Sequence, residues 1–200
     1  ARSFATAIEN RHIVRKTPVF MEGEAVAAQC CQNINELMNR GIHVVEHQME
    51  KGSIMMPEVQ APTLSAVLRE AAVNDKEYFF ELFDLLYHEI LKSSDIVENC
   101  LENEEYPILK KCYFDMTPVN CFVIDHKLVF FDQEFVKEEY SAKYVLYRAI
   151  KYTYMSMWEL QELIPKEKLI RKYGLEKCLK KFEREEERFI GSIRNVRENH

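Results

Sequence analysis

The stretch Tyr113-Phe-Asp-Met-Thr-Pro-Val-Asn-Cys-Phe-Val-Ile-Asp-His-Lys-Leu-Val-Phe-Phe-Asp-Gln-Glu134 constrains the fold of this chain more than any other. Cys121 to Phe131 has a strand pattern that folds back around Asp125-His126-Lys127, residues suited to a tight turn. Asp115 and Asn120 stand just ahead of it, with four residues between them, on a loop held by Pro118. Asp132 closes the second strand, so an apolar hairpin carries polar side chains at both of its ends.

Around this hairpin the chain divides into a mixed first third and a mostly helical remainder. Ile8 to Phe20 is rich in β-branched residues and stopped by Pro18, which predicts one or two strands. Glu22 to Arg40 sets Val26, Cys30, Ile34, Leu37 and Met38 at helical spacing and stops at Gly41. His43 to Glu50 and Ser53 to Val59 read as strands joined by a Lys51-Gly52 turn. Thr63 caps a short helix bearing Leu64, Val67 and Leu68, and Asn74 or Asp75 opens a longer one lined by Phe79, Phe83, Leu86 and Ile90. A third helix is predicted from Ser94 to about Asn103, broken by Pro107. Tyr144 to Leu163 reads as an aromatic-rich helix and Leu175 to about Val196 as a long charged one. The expectation is an α+β fold, with residues 1–60 a small strand-helix-hairpin lobe and residues 61–200 a helical lobe containing the 113–134 hairpin.

The residue types of the hairpin segment suit phosphoryl transfer. That reaction needs a carboxylate to orient or deprotonate an acceptor hydroxyl, and oxygen ligands that hold Mg²⁺ against nucleotide phosphates. An Asp-x-x-x-x-Asn loop followed about a dozen residues later by a hydrophobic strand ending in Asp supplies both. The competing reading is a capped turn and two hairpin ends, where Asp and Asn are common.

On these residues the segment resembles the C-terminal lobe of the protein-kinase-like superfamily, its aminoglycoside- and choline-kinase-type branch more than the protein kinases, through Phe131-Asp132-Gln133-Glu134. The resemblance implies a two-lobed fold with a reduced N-lobe, ATP and Mg²⁺ as cofactors, Asp115 as catalytic base, and Asn120 and Asp132 as metal ligands. It implies that Lys16 contacts the nucleotide phosphates, with Glu24 as its ion-pair partner and Glu22 as the runner-up. Glu58 to Ala61, Gln60 included, would be the hinge whose backbone meets adenine. The segment is also similar to Asn-Cys-Phe…Phe-Phe-Asp-Gln-Glu segments in bacterial proteins that modify surface glycans, some fused to methyltransferases, which implies a small-molecule or glycan hydroxyl as acceptor. Two departures stand out: Tyr113-Phe114 occupy the place of the usual His and Arg or Gly, and no Gly-rich phosphate loop exists, the glycines being Gly23, Gly41, Gly52, Gly174 and Gly191. They keep open a second reading, a catalytically inactive, pseudokinase-like binding or regulatory module attached to a glycan-modifying enzyme. Without the resemblance, Lys16 reads as a surface-strand lysine and Glu24 as a first-turn acid favoured by the helix dipole.

Net charge is -6 with acids and bases interspersed, which argues against general nucleic-acid binding. Cys30, Cys31, Cys100, Cys112, Cys121 and Cys178 form no Cys-x-x-Cys pair and are expected as buried thiols in a reducing compartment. No charged-then-apolar leader opens the chain, and no apolar run approaches the roughly 18 residues of a membrane span, so a cytoplasmic location is expected. Ala1 is not a natural start, which suggests a piece of something longer. His43, His47, His88 and His126 show no metal spacing beyond the His43/His47 pair, and a zinc site is not expected. Tyr144, Tyr147, Tyr152, Tyr154 and Trp158 could form a ligand box, but their helical spacing makes core packing the expectation. Lys180 to Arg188 reads as a solvated helix face stitched by ion pairs, with Phe182, Phe189 and Ile193 as the material of an alternative homodimer or inter-domain seam.

Overall fold

A computed structural model describes residues 4–9, 12–20, 23–97 and 104–198, with side chains as far as residue 193. Strands β1 (Phe4–Glu9) and β2 (Ile13–Pro18) pair as a hairpin, and β3 (Gln48–Glu50) and β4 (Ser53–Pro57) as another. They form one antiparallel sheet in the order β1-β2-β4-β3. The Lys51-Gly52 turn takes left-handed φ values of 50° and 76°. Gly52 suits it twice over: the conformation costs glycine nothing, and a Cβ there would lie 2.8 Å from the Glu24 carboxylate. Between the hairpins runs α1 (Gly23–Asn39), closed by Gly41 at φ 77°. Its first half buries Ala27, Cys30 and Cys31 with Phe4 and Ile54 in a small cluster, while Leu37 near its end joins the main core.

Of the strand expected over His43 to Glu50, only the last three residues pair as strand. The preceding segment lies instead along the hairpin, where the Val45 N–H donates to the Phe130 carbonyl at 2.8 Å and the Phe130 N–H to His43 at 2.9 Å. Helix α2 (Leu64–Asn74) is capped by the Thr63 hydroxyl and α3 (Lys76–Lys92) by the Asp75 carboxylate, as the sequence predicts. The third expected helix does not form over Ser94 to Val97. There the Val97 N–H donates to Ile108 at 2.8 Å, tying the chain to a neighbouring strand, and the rest of that prediction lies outside the described residues.

That strand, β5 (Ile108–Tyr113), pairs with β8 (Val136–Ser141). Between them a 3-10 turn over Pro118–Asn120 leads into the hairpin of β6 (Cys121–Ile124) and β7 (Lys127–Phe130), whose turn residues Asp125 and His126 are left-handed at φ 50° and 59°. Helices α4 (Ala142–Ser156), α5 (Leu160–Leu163), α6 (Lys166–Lys172) and α7 (Leu179–Glu198) complete the chain. The aromatic helix therefore ends earlier than its periodicity predicts. The Thr153 and Ser156 hydroxyls donate to the carbonyls of Ala149 and Thr153, and Met157 then turns into the core, leaving helical geometry at φ -138°.

The main core joins α2, α3 and α4 to the two small sheets through Phe79, Phe83, Leu86, Leu109 and Phe130. Tyr144 packs between Phe114 (5.1 Å between ring centroids) and Phe182 (5.4 Å), and Phe189 closes on Phe114 at 5.2 Å. Each such pair adds about 1 kcal/mol beyond burial. Phe182 is thus spent inside the molecule, while Phe189 is half-buried against Phe114 and Phe135 and Ile193 stays partly exposed. Cys30, Cys31, Cys112, Cys121 and Cys178 are free and buried. Among the described residues no helix is long and apolar enough to cross a membrane.

Candidate functional site

The two ends of the β6–β7 hairpin are tied by the Phe131 N–H, which donates to the Asn120 carbonyl at 3.0 Å. Asp132 follows in the left-handed region at φ 59°, a conformation that an aspartate tolerates at a cost of about 1 kcal/mol. Its N–H donates to His47 Nε2 at 3.2 Å, while His47 Nδ1 donates to the Val45 carbonyl at 2.8 Å. His47 is buried, which lowers its pKa, and it holds the Asp132 backbone as a neutral imidazole. Gln133 is fully buried and donates through Nε2 to the carbonyls of Asp115 and Phe131, both at 2.9 Å; its own carbonyl accepts from Asn33 Nδ2 at 2.8 Å.

Asp115 is fixed by the same turn. Its Oδ2 accepts from the N–H groups of Glu134 at 2.9 Å and Phe135 at 3.0 Å. Asn120 Nδ2 donates to the Asp115 carbonyl at 3.3 Å, which leaves its Oδ1 free to act as a ligand. Asp115 Oδ1 remains open except for Arg148 Nη1 at 3.8 Å. Burial pushes the Asp115 carboxyl up to about 6, against the opposing pull of Arg148 and the two N–H donors.

From the N-terminal sheet, the ammonium of Lys16 on β2 bonds Asp132 Oδ1 and lies 3.5 Å from Glu134 Oε1. Burial would lower the lysine pKa, but Asp132 and Glu134 outweigh it and the net shift is upward. Glu134 is pushed up to about 7, first by burial and then by the Asp132 charge. Behind Asp115 sits a second cluster. Arg148 on α4 donates from Nη1 to the Phe114 carbonyl and from Nε to Glu186 on α7 at 3.0 Å. Glu186 is wholly buried and also accepts from Tyr144 at 2.6 Å and Tyr152 at 2.5 Å. Burial would raise its pKa; Arg148 and the two hydroxyls hold it below the usual range.

Lys16, Asp115, Asn120 and Asp132, singled out from sequence, therefore lie on adjoining pieces of backbone. Glu24 does not join them: it is exposed on the first turn of α1 beside Gly52, and Lys16 turns to the carboxylates at the hairpin end instead. Glu22 lies outside the described residues. The Glu58 N–H is committed to the His12 carbonyl at 2.7 Å and its carboxylate to His12 Nδ1 at 2.6 Å; Gln60 is exposed on the connection to α2. Glu134 and Gln133 stood inside the sequence motif without a role, His47 was noted only for its spacing from His43, and Arg148 and Glu186 carried no spacing signal. Among the described residues no group of three or more His, Cys, Asp or Glu is arranged to hold a metal ion. The oxygen donors at hand, Asn120 Oδ1 and the Asp132 carboxylate, are of the hard type that suits Mg²⁺ when phosphates and water complete the shell. A cavity of about 420 Å³ opens beside Asp115, lined also by Thr117, Asn120, Arg148, Tyr152 and Met155. No protein-family model matches the chain, and a search of curated proteins finds no match.

Proposed function

We propose that the chain is an ATP- and Mg²⁺-dependent phosphotransferase acting on a hydroxyl of a small molecule or glycan, carried on a protein-kinase-like fold with a reduced N-terminal lobe. The observation that carries this reading is a convergence: Lys16, separated from Asp132 by 116 positions, is buried against it, beside Glu134 and next to the Asp115–Asn120 loop. The N-terminal sheet adds support. Ile8, Val14 and Met56 stand opposite one another on β1, β2 and β4, one alternation along from the row Thr6, Lys16 and Ile54, and hence on the same face. This partly exposed apolar row beside a cation suits a flat purine followed by its phosphates.

In this reading Asp115 Oδ1 takes the acceptor proton as the hydroxyl oxygen bonds the γ-phosphorus and the bond from that phosphorus to ADP breaks. A carboxyl pushed up to about 6 suits a base working near neutral pH. Asn120 and Asp132 would hold Mg²⁺, which neutralises charge on the phosphates when bound. Lys16 would steady those phosphates from the sheet side.

Calorimetric titration with ATP, with and without Mg²⁺, tests the reading. Mg²⁺-dependent binding that disappears in Asp132→Asn is expected; unchanged affinity in that variant would overturn the assignment of Asp132. A second reading, an inactive binding module, is favoured by the two carboxylates that already neutralise Lys16. Folded protein that gives no heat with ATP and Mg²⁺ would select it.

A further inference from the structure

A cavity of about 750 Å³ lies between α4 and α7, with α6 and Trp158 also on its wall. Its floor is apolar because α4 turns one face to it: Tyr147, Ile150 and Tyr154 recur at helical spacing, and Ile170 of α6 joins them. These four are buried, whereas Trp158 and Met155 at the rim are 77% and 67% exposed. Trp158 is where sequence periodicity failed: expected in the core, it stands outward because Met157 and Leu160 on either side take the buried positions. An indole and a thioether left open together at the mouth of an apolar cavity have the composition of a protein-binding patch, not of a solvated face.

The α7 wall is anionic. Glu183 and Glu187 lie one turn apart, both exposed, and among the described residues neither makes an ion pair. Burial first, and then the charges of Glu183, Glu186 and Glu187, push up the pKa of the Tyr147 hydroxyl, so the field of these carboxylates falls on the cavity. Glu167, Lys151 and Lys166 also line it, which makes three carboxylates against two ammoniums and leaves a surplus negative charge. Glu167 is already bonded by Gln161 Nε2 at 2.9 Å, so Glu183 and Glu187 are the carboxylates open to a ligand.

We propose that this groove docks a peptide segment of a partner protein through one arginine, its guanidinium held between Trp158 and the carboxylates of Glu183 and Glu187. A neighbouring apolar side chain of the segment covers the floor formed by Tyr147, Ile150 and Tyr154. Arginine fits better than lysine because its planar fork both stacks on an aromatic face and bonds carboxylates, and it is the more weakly hydrated cation. The surplus carboxylate rejects an acidic segment. The docking does not depend on the phosphotransferase reading.

Because the chain has one tryptophan, its emission reports on this groove. A panel of acetylated peptide amides, each with one arginine between leucine, isoleucine, valine or phenylalanine residues, should give a saturable change in Trp158 emission. Citrulline in place of the arginine keeps the shape and removes the charge; it should weaken binding about tenfold, and glutamate there should abolish it. The double variant Glu183→Gln/Glu187→Gln should bring the arginine peptide down to the citrulline level. Trp158→Ala, followed by calorimetry, should weaken the arginine peptide about tenfold. All three side chains are exposed, so these variants are expected to fold; circular dichroism checks it. No response to any arginine peptide, equal affinity for arginine and citrulline, or full affinity in the Glu183→Gln/Glu187→Gln protein would overturn the proposal. Binding of arginine amide or tetramethylammonium as tight as that of the peptides would overturn it too, in favour of a small-cation pocket. So would a dimer in sedimentation that Trp158→Ala dissociates, which would make the occupant a second copy of the chain.

Discussion

Lys16 and Arg148 are both cations with only 6% of their surface exposed, and both stand among carboxylates, yet their surroundings differ in kind. Arg148 bonds Glu186 at 3.0 Å and lies 3.8 Å from Asp115 Oδ1, and the hydroxyls of Tyr144 and Tyr152 complete the hydrogen bonding of the Glu186 carboxylate. With three donors on it, Glu186 stays ionised below its usual range. Lys16 faces both Asp132 and Glu134, and Glu134, accepting fewer hydrogen bonds, is pushed up to about 7 by burial first and then by the Asp132 charge. A hydrogen-bond-saturated buried cluster ties α4 and α7 to the Phe114–Asp115 backbone; a pair of close carboxylates sharing one ammonium is an arrangement that a bound cation relieves.

Breaking the Arg148–Glu186 cluster should cost most. Glu186→Ala leaves Arg148 and two tyrosine hydroxyls without their common acceptor, and chemical denaturation should register a loss of about 4 kcal/mol. A loss below about 1 kcal/mol would mean that the cluster is not a structural tie.

Lys16→Met should cost less, about 2 kcal/mol at pH 8, because Glu134 can take up a proton once its cation is gone. The penalty should shrink at pH 5, where that proton is already bound. Equal destabilisation at both pH values would show that the two carboxylates do not share the ammonium.

The smallest effect, and the most diagnostic, concerns Glu134→Gln in metal-free buffer. The folded pKa of Glu134 lies above its ordinary 4.5, at about 7. Its contribution to stability is therefore fully present below pH 4.5 and lost as pH rises through 7. Removing the charge should raise stability at pH 8 by on the order of 1 kcal/mol and leave pH 4 nearly unchanged. Melting curves that respond oppositely, with the variant weaker at pH 8, would mean that the Glu134 charge is needed by Lys16 rather than surplus to it.

Much of this arrangement was legible along the chain. The hairpin, its turn and the positions of Asp115, Asn120 and Asp132 follow from alternation and turn chemistry over one short segment, where local rules dominate. The caps at Thr63 and Asp75 are likewise local hydrogen bonds. The pairing of β5 with β8 escaped notice because two short charged strands gain their stability from the Leu109 and Cys112 side chains that they bury, not from pattern. The kinase-like resemblance assigned Glu24 to Lys16, but the Lys16 ammonium meets Asp132 at the hairpin end instead.

The sequence by itself determined helices α1, α2 and α3 with their caps or stops, the β6–β7 hairpin, and which short loop concentrates carboxylates and an amide. Those are outcomes of backbone sterics, periodicity and capping, each acting over a few residues. Only the tertiary structure decided which charges meet. Lys16 reaches Asp132 across 116 positions, Glu186 reaches Arg148 across 38, and Trp158 is turned outward because its neighbours Met157 and Leu160 occupy the core. Long-range ion pairs and exposure depend on how whole elements pack, and burial sets the energy of each charge only after that packing exists.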